Sequence, residues 1–105
     1  MGRWAQRRRS GGGSSLAPPL IQMIEALNDG ITLSIEYSGA VTAGDFDTAA
    51  FHVQPSDDQP DEIEQNGANG LNLNFSGDIS GQTLLEYSGV TAGVLSPQAI
   101  GLTPI

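Results

Sequence analysis

The feature that most constrains this chain is a phrase written twice. Residues 36–44 read EYSGAVTAG and residues 86–93 read EYSGVTAG, the same words with one residue removed, and residues 75–81 repeat the opening in shorter form as FSGDISG. Chemistry converges on one point and seldom needs its wording duplicated on one chain, whereas architecture often does. Each copy follows an alternating apolar and polar run. Ahead of the first, Ile31, Leu33, Ile35 and Tyr37 alternate with Thr32, Ser34 and Glu36, the period of a half-buried strand. The phrase therefore reads as a strand ending: an inward aromatic, then a glycine turn that lets the chain leave the sheet.

The rest of the chain punctuates in the same way. Leu20 to Leu27 is periodic and ends at Asn28-Asp29-Gly30. Leu20, Ile24 and Leu27 fit a short helix between two prolines and a turn, while Ile21, Met23 and Leu27 fit one face of a strand. The strand reading makes a hairpin with the run after the turn. A loop or single helical turn is expected around Asp45 to Ala50, followed by a short strand Phe51 to Gln54 closed by Pro55. A poor edge strand follows near Asp61 to Gln65. Leu71, Leu73 and Phe75 share one face of the next strand, TLLEYSG forms a sixth and QAIGLTPI a seventh. About seven short strands joined by turn chemistry, with 14 glycines and only 15% charged residues, predict an all-β antiparallel sandwich or small barrel over residues 19–105.

Charge divides the molecule differently. All four basic residues, Arg3, Arg7, Arg8 and Arg9, fall in the first nine positions, and the twelve acidic residues all follow, giving a net charge of −8. Residues 1–18 read as a basic arm and a Gly/Ser linker, SGGGSS, stiffened at Pro18 and Pro19; fully extended they reach about 60 Å. Arginine grips carboxylate or phosphate through a planar fork, and Trp4 offers a large anchor. Arg3, Trp4, Arg7, Arg8 and Arg9 are thus the expected partner-binding residues. Four positive charges attached to an acidic body make a poor general binder of nucleic acid, and the body repels anionic membrane.

Other functional classes find little support. The chain has no cysteine, hence no disulfide framework or thiolate metal site, and it has no G-x-S-x-G elbow and no lysine. Its one histidine, His52, lies in a short strand whose alternation turns it away from the face of Phe51 and Val53. Asp45 and Asp47 are two carboxylates without a recognisable cleft. Asp57, Asp58, Asp61, Glu62 and Glu64 concentrate the hard oxygen ligands calcium takes, but without EF-hand spacing; a solvated acidic loop protecting an edge strand is the simpler reading. Asn74-Phe75-Ser76 satisfies the glycosylation sequon inside an expected strand, which makes it a coincidence. Ser10 to Ser15 is Gly and Ser where a secretion signal needs an apolar run, and no segment approaches a membrane span. No enzyme activity, cofactor or metal is expected.

The words DGITLSIEYSGAVTAGDFDTAAFHVQ and GLNLNFSGDISGQTLLEYSG, residues 29–54 and 70–89, resemble bacterial Ig-like repeats of the SwmB type. The resemblance spans residues 19–105 and implies an Ig-like β-sandwich; it says little of function. Members of that family are tandem modules of long surface proteins, whereas here a single copy follows a basic arm. The opening MGRWAQRRRSGGGSS is similar to the start of small proteins encoded among phage structural genes. Together these imply a non-enzymatic structural protein of a phage virion, a head decoration or cement protein. Its expected partners are the major capsid protein or another virion protein, and further copies of itself in a homo-oligomer. The alternative is a tail, collar or fibre module that binds carbohydrate or a host receptor through its loops.

Overall fold

A computed structural model describes residues 19–105. They form eight strands: β1 Met23–Asn28, β2 Thr32–Tyr37, β3 Phe51–Gln54, β4 Glu62–Gln65, β5 Gly70–Asn74, β6 Leu84–Tyr87, β7 Gln98–Gly101 and β8 Thr103–Pro104. Two sheets pack face to face, one in the order β4-β5-β2-β1-β8 and the other β3-β6-β7. The all-β sandwich expected from the alternation is the fold. Between the sheets lie Leu33, Ile35, Tyr37, Leu71, Leu73 and Phe75 from the larger one and Phe51, Val53, Leu85 and Tyr87 from the smaller, all buried.

Three details depart from the sequence reading. The strand at residues 20–28 is a strand and not a helix, but its register slips between Met23 and Glu25, where a bulge forms. Beyond the bulge the inward face passes to Ala26 and Asn28, so Leu27 is half-buried on the outside and not beside Met23. An inserted residue reverses every later side chain of a strand, and periodicity alone cannot announce it. The loop at Asp45 to Ala50 is two short 3-10 turns, Ala43–Asp45 and Thr48–Ala50.

The last predicted strand is in fact two. Gln98–Gly101 pairs antiparallel with β6, then the chain steps across at Leu102, whose N–H donates to the Thr83 carbonyl at 2.9 Å. Thr103 and Pro104 join the other sheet, pairing parallel with Leu27 and Asn28. The same seam is closed further up by Ile21, which donates to the Gly93 carbonyl at 2.8 Å and accepts from the Leu95 N–H at 2.9 Å. The Gln98 side chain completes it, its Oε1 accepting from the Met23 N–H at 2.8 Å and its Nε2 donating to the Leu95 carbonyl at 2.8 Å. The sandwich is thus sealed along β1.

The turn joining β1 to β2 is fixed by side chains. Asp29 Oδ1 accepts from the N–H groups of Ile31 at 3.0 Å and Thr32 at 2.8 Å. Those two donors hold its carboxyl below the ordinary carboxylate range. The buried Asn28 donates to the Ile79 carbonyl at 2.9 Å and accepts from the Gly30 N–H at 2.9 Å, so its amide is satisfied inside the fold.

Candidate partner-binding surface

The arm residues Arg3, Trp4, Arg7, Arg8 and Arg9 lie outside the described residues. Between Pro19 and Ile105 every charged side chain is acidic, apart from His52 if protonated. What the described body offers a partner is therefore decided by its two outer faces and its open edges.

The outer face of the larger sheet is a hydrogen-bonded ladder. Thr32 Oγ1 donates to Asn74 Oδ1 and Ser34 Oγ to Asn72 Oδ1, both at 3.0 Å across the β2–β5 pair. Asn74 Nδ2 donates onward to Glu64 Oε1 at 2.9 Å and to Glu62 Oε1 at 3.2 Å on β4. Asn66 Nδ2 donates to Asn72 Oδ1 at 3.1 Å. Small polar side chains at alternate positions meet across the strands and tie each other down, producing a polar face edged by the carboxylates of Glu62 and Glu64. Asn74 is fully engaged in that ladder, so the sequon at Asn74 lies within a strand, as the alternation implied.

At the β1 side of this face a cleft of about 290 Å³ opens, lined by Glu25, Leu27, Ser34, Ile35, Glu36, Asn66, Asn69 and Gly70. The bulge in β1 decides its chemistry. Without the extra residue Ile24 would face Glu36, but with it Glu25 stands directly opposite Glu36, and both are exposed. Sequence reasoning missed this pair because the two residues are eleven apart and only the slipped register brings them side by side.

The outer face of the smaller sheet carries a second cleft of about 360 Å³, lined by His52, Glu86, Tyr87, Ser88, Pro97, Gln98 and Ala99. His52 points away from the core, as its alternation predicted, and its Nε2 lies 2.8 Å from Gln59 Nε2. Glu86 Oε1 accepts from Gln54 Nε2 at 2.8 Å. Both side chains are occupied with their neighbours.

Two more acidic side chains make local structural contacts. Asp47 Oδ1 caps the second 3-10 turn by accepting from the Ala49 N–H at 2.9 Å. Asp57 accepts from Gln54 Nε2 at 2.9 Å, and the Asp58 carbonyl accepts from the Val53 N–H at 2.9 Å, covering the free edge of β3. Among the described residues no three His, Cys, Asp or Glu side chains are grouped so as to hold a metal ion, and no helix is long and apolar enough to cross a membrane. The edge of β4 carries Glu62 and Glu64, charges of the kind that discourage another strand from pairing there, and Gln65 ties its end down by accepting from the Ala43 N–H at 2.8 Å.

No family model matches the chain, and no curated protein or solved structure matches it.

Proposed function

We propose that the chain is a non-enzymatic structural protein of a phage particle, a decoration or cement protein of the head, attached through Arg3, Trp4, Arg7, Arg8 and Arg9. The observation that carries this reading is the separation of charge: four arginines within nine residues, followed by a body with twelve carboxylates and neither lysine nor arginine. A partner with an acidic surface attracts the arm, and complementary charge fixes register and speeds encounter. Trp4 and the apolar residues Leu16 to Leu20 add affinity through burial. The side chains of the ladder on the larger sheet already bond one another, which is compatible with a body that attaches through its arm.

The carbohydrate reading fits less well. Tyr37, Phe51, Phe75 and Tyr87 are buried and Phe46 packs against them, so the described body has no aromatic platform on which a sugar ring could stack. Replacing the four arginines by serine tests the proposal by counting copies on purified particles. Loss of attachment is expected, and attachment at the normal level overturns it. Glycan binding that survives deletion of residues 1–18 would instead favour the receptor-binding alternative.

A further inference from the structure

Three steps of the chain place Asn or Asp before a glycine: Asp29-Gly30, Asn66-Gly67 and Asn69-Gly70. Such steps rearrange without an enzyme, because a glycine has no Cβ to hinder its nitrogen from attacking the preceding side-chain carbonyl. The fold treats the three differently. At Asp29 the Oδ1 oxygen is held by the N–H groups of Ile31 and Thr32, and the Gly30 N–H donates to Asn28 Oδ1 at 2.9 Å, so nucleophile and target are both committed elsewhere. Gly70 is buried as the first residue of β5, and even a Cβ on it would run into the Asn66 and Ile35 carbonyls. The Asn69 carbonyl accepts from the Tyr37 N–H at 2.8 Å, so reaction there must wait for the strand end to open. Asn66 and Gly67 are both exposed. A Cβ on Gly67 would have nothing within 4 Å, and the Gly67 N–H has no hydrogen-bond partner among the described residues. The bond from Asn66 Nδ2 to Asn72 Oδ1, at 3.1 Å, is exposed and shares its acceptor with Ser34 Oγ.

We infer that Asn66 is a site of spontaneous deamidation, with the Gly67 backbone nitrogen as the nucleophile. That nitrogen forms a bond to Asn66 Cγ, the Cγ–Nδ2 bond breaks, and Nδ2 leaves as ammonia carrying the proton from Gly67. Water then opens the cyclic imide at either carbonyl. Opening at Cγ leaves an aspartate in an ordinary backbone; opening at the former main-chain carbonyl leaves the chain running through the side chain as a β-linked residue. No electrons change hands, and water is the only co-reactant. Either product alters the loop between β4 and β5. The new carboxylate joins Glu25 and Glu36 around one cleft and cannot donate to Asn72. The β-linked form inserts a methylene between the Asn66 N–H, which donates to the Gly70 carbonyl at 3.0 Å, and the Gly67 carbonyl, which accepts from Gln65 Nε2 at 2.7 Å. Those two bonds close the hairpin, so the end of the edge strand β4 is loosened.

Peptide mapping by mass spectrometry tests this on the full chain held folded in mildly alkaline buffer. Conversion, read as the mass change of exchanging NH2 for OH, should run about 10-fold or more faster at Asn66 than at Asn69, since only the latter waits on local opening. In concentrated denaturant the two Asn-Gly steps should convert at similar rates, which makes the preference a property of the fold and not of the neighbouring sequence. The aged chain should also accept a methyl group from an isoaspartyl methyltransferase at residue 66. Asn66→Ser should abolish that signal without unfolding the chain, because it removes only an exposed side-chain bond. Equal rates at the two sites in the folded chain, faster conversion at Asn69, or a preference that persists in denaturant overturns the inference. So does an Asn66 that stays intact under conditions that convert a short peptide of residues 62–70.

Discussion

The two copies of the repeated phrase begin alike and end differently, and one residue accounts for the difference. Tyr37 ends β2 in the larger sheet and Tyr87 ends β6 in the smaller, and both rings are buried. The serine after each continues the ladder in the same way: the Ser38 N–H donates to the Gln22 carbonyl at 2.8 Å and the Ser88 N–H to the Ala50 carbonyl at 2.9 Å. The threonine of each copy closes a similar turn, its carbonyl accepting from Asp45 N–H at 3.0 Å in one and Val94 N–H at 3.1 Å in the other. Between serine and threonine the first copy has Gly-Ala-Val and the second Gly-Val. With the extra alanine, Val41 turns inward and is 9% exposed, whereas Val90 is fully exposed.

The shorter loop brings Thr91 back over its own tyrosine. Tyr87 Oη and Thr91 Oγ1 are 2.6 Å apart, and the threonine hydroxyl donates to the Asp45 carbonyl at 3.1 Å, which leaves the tyrosine as donor in the pair. Tyr37 has no such threonine, and its buried hydroxyl has no hydrogen-bond partner among the described residues. Phe46 lies between the two rings, its centroid 5.9 Å from that of Tyr37 and 5.8 Å from that of Tyr87. The duplication thus builds one aromatic cluster from two sheets, with the long copy contributing an extra core residue and the short copy the polar lock.

Deleting Ala40 should break the contrast most severely. Val41 would lose its burial and its N–H its bond to the Ala68 carbonyl at 3.0 Å, a loss of about 2–4 kcal/mol in denaturant unfolding. An effect below about 1 kcal/mol would show that the loop re-forms without the insertion. The paired glycines come next. A Cβ on Gly89 would sit 2.7 Å from the Ala50 Cβ and 2.8 Å from the Tyr87 ring, while one on Gly39 would meet only the Ile21 side chain, at 3.2 Å. Gly89→Ala should cost about 1–3 kcal/mol and Gly39→Ala less, because an isoleucine end can yield where a packed Cβ and ring cannot. Equal melting temperatures for the two variants would erase the distinction.

The tyrosines give the smallest effects and the clearest signs. Tyr87→Phe should lose about 0.5–1.5 kcal/mol with its hydrogen bond, and Tyr37→Phe should be neutral or slightly stabilising. Burial, reinforced by Tyr87, pushes the Tyr37 phenol well above its ordinary range. The unfolded chain releases that proton near pH 10 while the folded one keeps it, so the fold loses stability as the pH rises above about 10. Tyr37→Phe should remove that part of the alkaline decline; an unchanged slope would mean that the hydroxyl is not held as the structure places it.

How much of this was legible beforehand follows from what each feature depends on. Alternation placed Leu33, Ile35, Leu71 and Leu73 inside because strand geometry imposes it locally. The aromatic before each glycine marked the strand ends for the same reason. The bulge at Ile24, the crossing at Leu102 and the parallel pairing of Thr103 depend on partners far along the chain, and nothing local to those residues marks them. The candidate cleft was illegible for the same cause, since Glu25 and Glu36 become neighbours only through the bulge. Charge separation, by contrast, is a property of the sequence itself.

The seam along β1 has a consequence for biosynthesis. Residues 21–28 find their partners on one side only in residues 93–105, so a nascent chain emerging from the ribosome cannot close its larger sheet until almost all of this sequence is available. Contacts of such separation slow folding, and until they form the flank of β1 is an unguarded template for another strand. Truncation shortly before residue 94 should therefore yield a sticky, aggregating fragment and not a smaller stable domain.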